Sequence, residues 1–169
     1  VSWIYYRKAE KPKRLAYEIR SNSRMISTAR DERKNLQVIY NGARVKNPNL
    51  TVVRVANIGK QDIVTEDFRN SPIKIRFDSS LVLSVTPSDQ QNPRITGQLA
   101  EIPGSNAVGV MPDHLKSNEW FDVRIVTDGD PIEPEIEARV VGETHPIMAT
   151  DVVLRQRRII VTTTISAVI

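Results

Sequence analysis

Residues 51–59 read Thr-Val-Val-Arg-Val-Ala-Asn-Ile-Gly, and this stretch decides the class of fold. Val53 and Val55 alternate with polar and small residues, which is the period-two pattern of a strand whose two faces meet different surroundings. The strand should end at Asn-Ile-Gly, because Asn and Gly both tolerate the backbone angles of tight turns. The stretch therefore predicts a β-strand that ends in a turn.

The same alternation recurs along the chain between turn residues. Asn41-Gly42 is a strong hairpin signal within one of these runs. The ten prolines leave no room for a long helix, although short helical turns are expected at 65–68 and 112–116. The alternating runs are 15–20, 36–45, 51–56, 73–77, 81–85, 95–102, 107–111, 121–125 and 136–140. About eight or nine short strands without long helices indicate an all-β protein built as an antiparallel sandwich or barrel.

Two segments resemble bacterial immunoglobulin-like domains. Residues 53–63, Val-Arg-Val-Ala-Asn-Ile-Gly-Lys-Gln-Asp-Ile, match a V-x-V-x-N-x-G strand end followed by a polar turn. Residues 120–125, Trp-Phe-Asp-Val-Arg-Ile, are similar to the penultimate strand of such domains. The resemblance implies an immunoglobulin-like antiparallel β-sandwich of about eight strands. The Cys pair and central Trp of antibody-type domains are absent, so only the general sandwich carries over, and it implies no particular function.

The two ends of the sequence carry aromatic, basic and apolar residues in mirror order. At one end aromatic residues precede a basic stretch, and at the other a basic stretch precedes the uncharged run 159–169. Trp and Tyr favour the lipid–water boundary, and Lys and Arg beside them stay in water near the head groups. The residues expected at the membrane interface are Trp3, Tyr5, Tyr6, Arg7, Lys8, Arg155, Arg157 and Arg158.

Neither apolar run reaches the roughly 20 residues that span a bilayer. We therefore expect cut-off membrane helices at both ends. Residues 1–14 would end one helix and form a basic stem, and 148–169 would be a helix entering the membrane. Residues 15–147 are left as one β domain. An ordinary amphipathic leader and a last β-strand stay open as alternatives for the two ends.

The charge balance assigns the basic excess to the ends. The chain has 24 basic and 20 acidic residues, a net charge of +4. Residues 1–14 hold five basic residues and one acidic residue, and 155–169 hold three basic residues, which leaves 16 basic against 19 acidic in between. Nucleic-acid binding is therefore disfavoured. Basic residues beside the membrane are retained in the cytoplasm, so we expect a multi-pass protein of the cell membrane with this domain on the cytoplasmic side.

The sequence contains no recognisable catalytic, phosphate-binding or metal-binding motif. His114 and His145 are the only histidines and lie far apart in sequence, and there is no Cys, so no zinc-ligand pattern forms. Five acids within 128–137 lack the order of a calcium-binding loop and read as a charged edge strand. There is neither a Gly-x-Ser-x-Gly sequence nor a phosphate-binding loop. We expect no catalytic residue, no cofactor and no metal.

Binding is the favoured class of function, and an enzyme or transport-coupled subunit stays open as a third possibility. We expect a non-catalytic interaction or scaffold domain whose partners are the lipid bilayer and a protein, or a second copy of the chain. The alternative is a ligand-sensing or effector module that signals to the membrane helices, as in the two-helix β-rich effectors of bacterial defence systems. The polar stretch 21–35 reads either as a partner-binding loop or as a connection with a short edge strand at Met25-Ile26.

The orientation is testable with a reporter fused after Val45 in the membrane-inserted protein. We expect an alkaline phosphatase fusion to be inactive and a cytoplasmic green fluorescent reporter at the same site to be bright, because the basic stretches should retain the domain inside. Alkaline phosphatase activity at this site would contradict the cytoplasmic placement.

Overall fold

The computed structural model describes residues 12–26, 37–88, 98–101, 106–142 and 147–149. These residues form strands and one short 3-10 helix, Thr65–Phe68. The strands are β1 (Leu15–Arg24), β2 (Val38–Tyr40), β3 (Ala43–Val45), β4 (Pro48–Asn57), β5 (Ile63–Val64), β6 (Ile73–Arg76), β7 (Leu81–Ser88), β8 (Gln98–Glu101), β9 (Ala107–Met111), β10 (His114–Leu115), β11 (Trp120–Asp128), β12 (Glu135–Glu137) and β13 (Met148–Ala149).

The strands make two main sheets and two small ones. The five-stranded sheet has the order β13-β1-β4-β11-β7, in which β13 is parallel to β1 and every other pair is antiparallel. The four-stranded sheet has the antiparallel order β12-β6-β9-β8. The pairs β5–β10 and β2–β3 form separate two-stranded ribbons.

Strand β4 occupies the centre of the five-stranded sheet. Its residues alternate between buried and partly buried along its length, as the sequence pattern predicts. Val53 and Val55 are fully buried, while Arg54 lies on the opposite face. The β-branched valines suit this position because their side chains are stiff and pack well on a pleated surface.

One hydrophobic core is shared by the two main sheets. The five-stranded sheet contributes inward-facing side chains such as Val53 and Ile125, and the four-stranded sheet contributes Ile75 and Val110. The rest of the core is Leu15, Val55, Ile63, Phe68, Ile73, Phe77, Val85, Val108, Leu115, Phe121, Val123, Ile136, Val140 and Ile147. The side chains of the two sheets therefore stabilise each other.

Opposite charges face each other at the β12 edge of the four-stranded sheet. Glu135 lies opposite Arg76, with which it forms an ion pair, and Glu137 lies opposite Lys74. Ile136 between the two acids is buried. The predicted charged edge strand is therefore present within 128–137, and its charges favour this register.

The all-β antiparallel architecture predicted from the sequence is confirmed. The hairpin at Asn41-Gly42 is confirmed as well, since both residues have positive φ (+49° and +80°) and β2 pairs with β3 across them. The helical turn predicted at 65–68 is the 3-10 helix. Such agreement is expected where a local signal, a turn or an alternation, is sufficient to specify the structure.

Three sequence interpretations are corrected. The helical turn predicted at 112–116 is wrong, because His114 and Leu115 pair with β5. The helix predicted over 148–169 does not begin at Met148, because Met148 and Ala149 pair with β1, and the rest of that segment lies outside the described residues. The polar stretch 21–35 begins as strand, because β1 continues to Arg24 and Met25 is exposed beyond it.

The shared core can be tested with the substitution Ile75→Ala in the four-stranded sheet. Truncating this fully buried side chain should lower the free energy of unfolding by about 2–5 kcal/mol. In a Trp3→Phe background, the fluorescence of Trp120, which lies in the other sheet, should report the same decrease in the free energy of unfolding. Ile39→Ala, at an exposed position, should change stability by less than about 0.5 kcal/mol. A Trp120 signal that is unaffected by Ile75→Ala would contradict a shared core.

Candidate interaction surface

The outer face of the five-stranded sheet, opposite the core, carries a fixed arginine. Arg54 donates from Nε to Oδ1 of Asp122 at 2.7 Å and from Nη2 to Oδ2 at 2.9 Å. Its guanidinium carbon also lies 3.5 Å from the centre of the Trp120 ring. Two parallel charge-assisted hydrogen bonds and one stacking contact thus hold the guanidinium. Trp120 is consequently fixed in orientation on a partly exposed face.

This group was missed by the sequence analysis. Trp120 and Asp122 are two apart on β11, so a shared face could have been read from the period of a strand. Arg54 comes from β4, however, and only the register places it opposite Asp122. Pairing of distant strands is the part of this arrangement that no local signal provides.

A second polar group joins the turn after β4 to the turn before β11. Asp62 accepts a hydrogen bond from the backbone N–H of Ser117 at 3.1 Å, and its other oxygen lies 3.1 Å from Nε2 of His114. The Ser117 N–H is the main cause that lowers the pKa of Asp62, partial desolvation opposes it, and His114 lowers it further. Both side chains are exposed, so this pair orders two loops at the surface.

The presence of Ser, His and Asp here does not reproduce a nucleophilic triad. In such a triad the His lies between the acid and the Ser and accepts the hydroxyl proton. Here the Ser117 hydroxyl donates to the backbone oxygen of Gly59 at 2.6 Å, and it is the Ser117 backbone that binds Asp62. Across the described ranges, no group of three or more His, Asp or Glu is arranged to hold a metal ion.

Four exposed apolar side chains lie in or beside segments at one end of the five-stranded sheet. We call this the loop end: it is where β1 and β11 finish and where β4 and β7 begin. Met25 follows β1, Leu81 begins β7, Ile132 follows β11, and Ile39 lies in the hairpin that leads into β4. These four side chains are between 44% and 62% exposed. Exposed apolar groups that cluster in one place are typical of binding surfaces.

Exposed and partly buried hydrogen bonds hold the loop end together. Oδ1 of Asp128 accepts hydrogen bonds from the backbone N–H groups of Lys46 at 3.1 Å and Asn47 at 2.7 Å. The side chain of Asn49 donates to the backbone oxygens of Asn47 and Gly129. Backbone and side-chain bonds therefore join the loops before β4 and after β11, so the apolar side chains project from an ordered frame.

The β1 edge of the five-stranded sheet is less suited to binding another strand. On the side away from β4, β1 pairs with no described strand beyond Tyr17. An irregularity between Ile19 and Ser21 leaves Arg20 unpaired, and Arg20 bonds to Glu18 at 3.0 Å. Bulges and charges at an edge discourage strand addition. Edge pairing is therefore disfavoured relative to contact through the loop end.

The other residues singled out from the sequence are distributed as follows. The eight expected membrane-interface residues, from Trp3 to Lys8 and from Arg155 to Arg158, lie outside the described residues, as does His145. The side chain of His114 is 41% exposed and lies 3.1 Å from Asp62, while its backbone pairs with β5. None of the helices formed by the described residues is both long enough and apolar enough to cross a bilayer.

Comparison of the chain with models of protein families, with curated proteins and with solved structures found no match.

The Arg54–Asp122 pair generates a stability prediction. Removing Arg54 leaves an almost fully buried carboxylate without its bidentate partner, so Arg54→Met should lower the free energy of unfolding by roughly 3 kcal/mol. Arg124→Met, an exposed arginine on β11, is the matched control and should change it by less than about 0.5 kcal/mol. Equal effects of the two variants in urea denaturation would contradict the assigned role of Arg54.

A pH prediction follows from Asp62. Its lowered pKa means that its contribution to stability is present above the ordinary Asp pKa of about 3.9 and is lost as the pH falls through the lower folded value. In His114→Ala the pKa of Asp62, followed by carboxyl-carbon NMR, should rise only part of the way to the ordinary value. The Ser117 N–H, the main cause, remains in this variant. Full recovery of the ordinary pKa would show that His114 is the main cause instead.

Proposed function

We propose that this chain is a non-catalytic interaction domain of a multi-pass membrane protein, and that it binds a protein partner through the loop end on the cytoplasmic side of the membrane. The observation that carries the proposal is the grouping of Met25, Ile39, Leu81 and Ile132 at one end of an ordered sheet. Apolar anchors on a rigid frame are the usual centre of a protein–protein contact. In this proposal the two main sheets stack as an immunoglobulin-like sandwich.

The first and last described residues of the chain lie near one end of the five-stranded sheet. Lys13 lies beside the turn that ends β4, and Ala149 pairs with Tyr17 near the start of β1. Both positions lie near the end of the five-stranded sheet opposite the loop end, which we call the stem end, although β13 runs parallel to β1 and is therefore directed toward the loop end. If both flanking segments enter one bilayer, the loop end faces away from it and stays accessible to a partner.

A lipid-facing loop end is the main competing interpretation. Lipid insertion would also use exposed apolar side chains, but it usually adds a basic surface that attracts anionic head groups. Around the loop end, Arg24 is paired with Asp130, Arg44 and Lys46 are exposed basic residues, and Asp128 and Glu133 are acidic. This mixed charge favours a protein over an anionic membrane as the occupant.

Site-specific crosslinking in the full-length protein, in its native membrane, tests the proposal. A photoreactive residue at Ile39 or Leu81 should crosslink to the same protein partner. Val141 is the matched control, because it is also an exposed apolar residue but its backbone N–H binds Asp67, away from the loop end. A partner found equally at all three positions, or only lipid adducts at Ile39 and Leu81, would contradict the proposal.

The partner identified in this way should then bind the purified protein through the same side chains. The triple variant Ile39→Ser, Leu81→Ser, Ile132→Ser should bind at least tenfold more weakly, since each truncated apolar anchor removes part of the contact. These side chains are exposed, so the thermal unfolding temperature should change little. Unchanged affinity in the folded triple variant would overturn the role of the loop end.

A further inference from the structure

The residues that enter the domain are bonded along the turn that follows β4. The backbone N–H of Ile58 donates to the oxygen of Arg14 at 2.9 Å, and that of Lys60 donates to the oxygen of Pro12 at 3.0 Å. These two bonds flank Gly59 on both sides. Residues 12–14 therefore lie alongside this turn as a short extra strand, before β1 begins.

Gly59 makes this approach possible. A Cβ atom at this position would lie 2.5 Å from the backbone oxygen of Pro12 and 2.6 Å from the backbone nitrogen of Arg14. Both distances are well inside van der Waals contact, and both involve backbone, which cannot move aside as a flexible side chain can. Any larger residue at position 59 must separate the turn from residues 12–14.

A partly buried ion pair holds the same segment to a different element. Nζ of Lys13 lies 2.5 Å from Oδ1 of Asp67, and the two side chains are 18% and 11% exposed. Oδ2 of Asp67 accepts a hydrogen bond from the backbone N–H of Val64 at 2.9 Å, which orients the carboxylate at the start of the 3-10 helix. Lys13 is thus joined to a carboxylate that is itself fixed in place.

Hydrogen bonds from Asn57 and Ser117 hold the turn itself in place. Asn57 is fully buried, accepts a hydrogen bond from the N–H of Gly59 at 3.0 Å, and donates to the oxygens of Gln61 at 2.8 Å and Leu115 at 3.0 Å. The Ser117 hydroxyl donates to the oxygen of Gly59. Residues 12–14 therefore bind a turn that has little freedom to move with them.

We infer that residues 12–14, Gly59 and the Lys13–Asp67 pair form a clamp that fixes the direction in which the chain enters the β domain. Residues 12–14 are held by two separate elements. The turn after β4 makes two backbone hydrogen bonds and a close backbone contact with them, and the 3-10 helix provides the ion pair. The domain consequently cannot pivot about residues 12–14. The clamp sets how the loop end is oriented relative to the point of entry. It stands on these contacts alone, so it holds whether or not the loop end binds a protein.

NMR relaxation and amide hydrogen exchange of the 169-residue chain test the clamp. The amides of Lys13 and Arg14 should have order parameters of about 0.85, equal to those of Val53 and Ile125 in the central strands. Lys13→Met should speed exchange of the Ile58 and Lys60 amides about tenfold and leave those of Val53 and Ile125 unchanged, because only the clamp opens. Lys46→Met, an exposed lysine at the other end of the sheet, is the matched control and should change neither pair.

A stronger test uses Gly59→Ala, which should lower the order parameters of Lys13 and Arg14 below about 0.6. If this variant fails to fold, the Lys13→Met measurement decides. Order parameters below about 0.6 at Lys13 and Arg14 in the unaltered protein would overturn the clamp. So would exchange that accelerates throughout β4 in Lys13→Met, since that would make Lys13 a general support of the sheet.

Discussion

The structure depends on the placement of β4 between β1 and β11, with its valines directed into the core. The side chains of Val53 and Val55 are buried on one face of the strand. Arg54, between them, contacts Asp122 and Trp120 on the other face. A shift of one residue would exchange these faces and bury the arginine, which is far more costly than the loss of one contact. The alternation of the strand therefore selects one register, and that register positions the neighbouring strands.

The two ends of β4 make different contacts. At its start, the preceding loop is bound by Asp128, which orders the frame from which the exposed apolar residues project. At its finish, Asn57 and Gly59 build the turn against which the entering chain lies. One strand thus connects the place of attachment to the proposed place of binding. Because β4 is central and buried on one face, neither end can move far without disturbing the core.

Local signals in the sequence were sufficient for some of this structure. The alternation in β4, β6 and β11, the turn residues at Asn41-Gly42 and the short helical turn at 65–68 could all be read directly. Asn57 at the end of β4 and Gly59 after it indicate a turn in the sequence, but their main contacts are not visible there. Asn57 bonds across to Leu115, and Gly59 admits backbone from residues 12–14. Both roles depend on residues distant in sequence.

Other features could not be predicted because they are created by pairing. The strands β5, β10 and β13 have two residues each, too few to show any period, and they exist only through their partners. The unpaired position of Arg20 in β1 appears only when the register with β4 is known. The candidate surface has the same origin, since its four apolar residues come from four separate places in the chain, whose segments are brought to the loop end by strand pairing.

The central claim, that β4 directs its valines into a core shared by both main sheets, is tested most directly by methyl NMR. In a sample with labelled Val and Ile methyl groups, nuclear Overhauser effects should connect Val53, Val55 and Ile125 with Ile73, Ile75 and Val110 in one continuous network. Two separate networks, one for each sheet with no effects between them, would contradict the account.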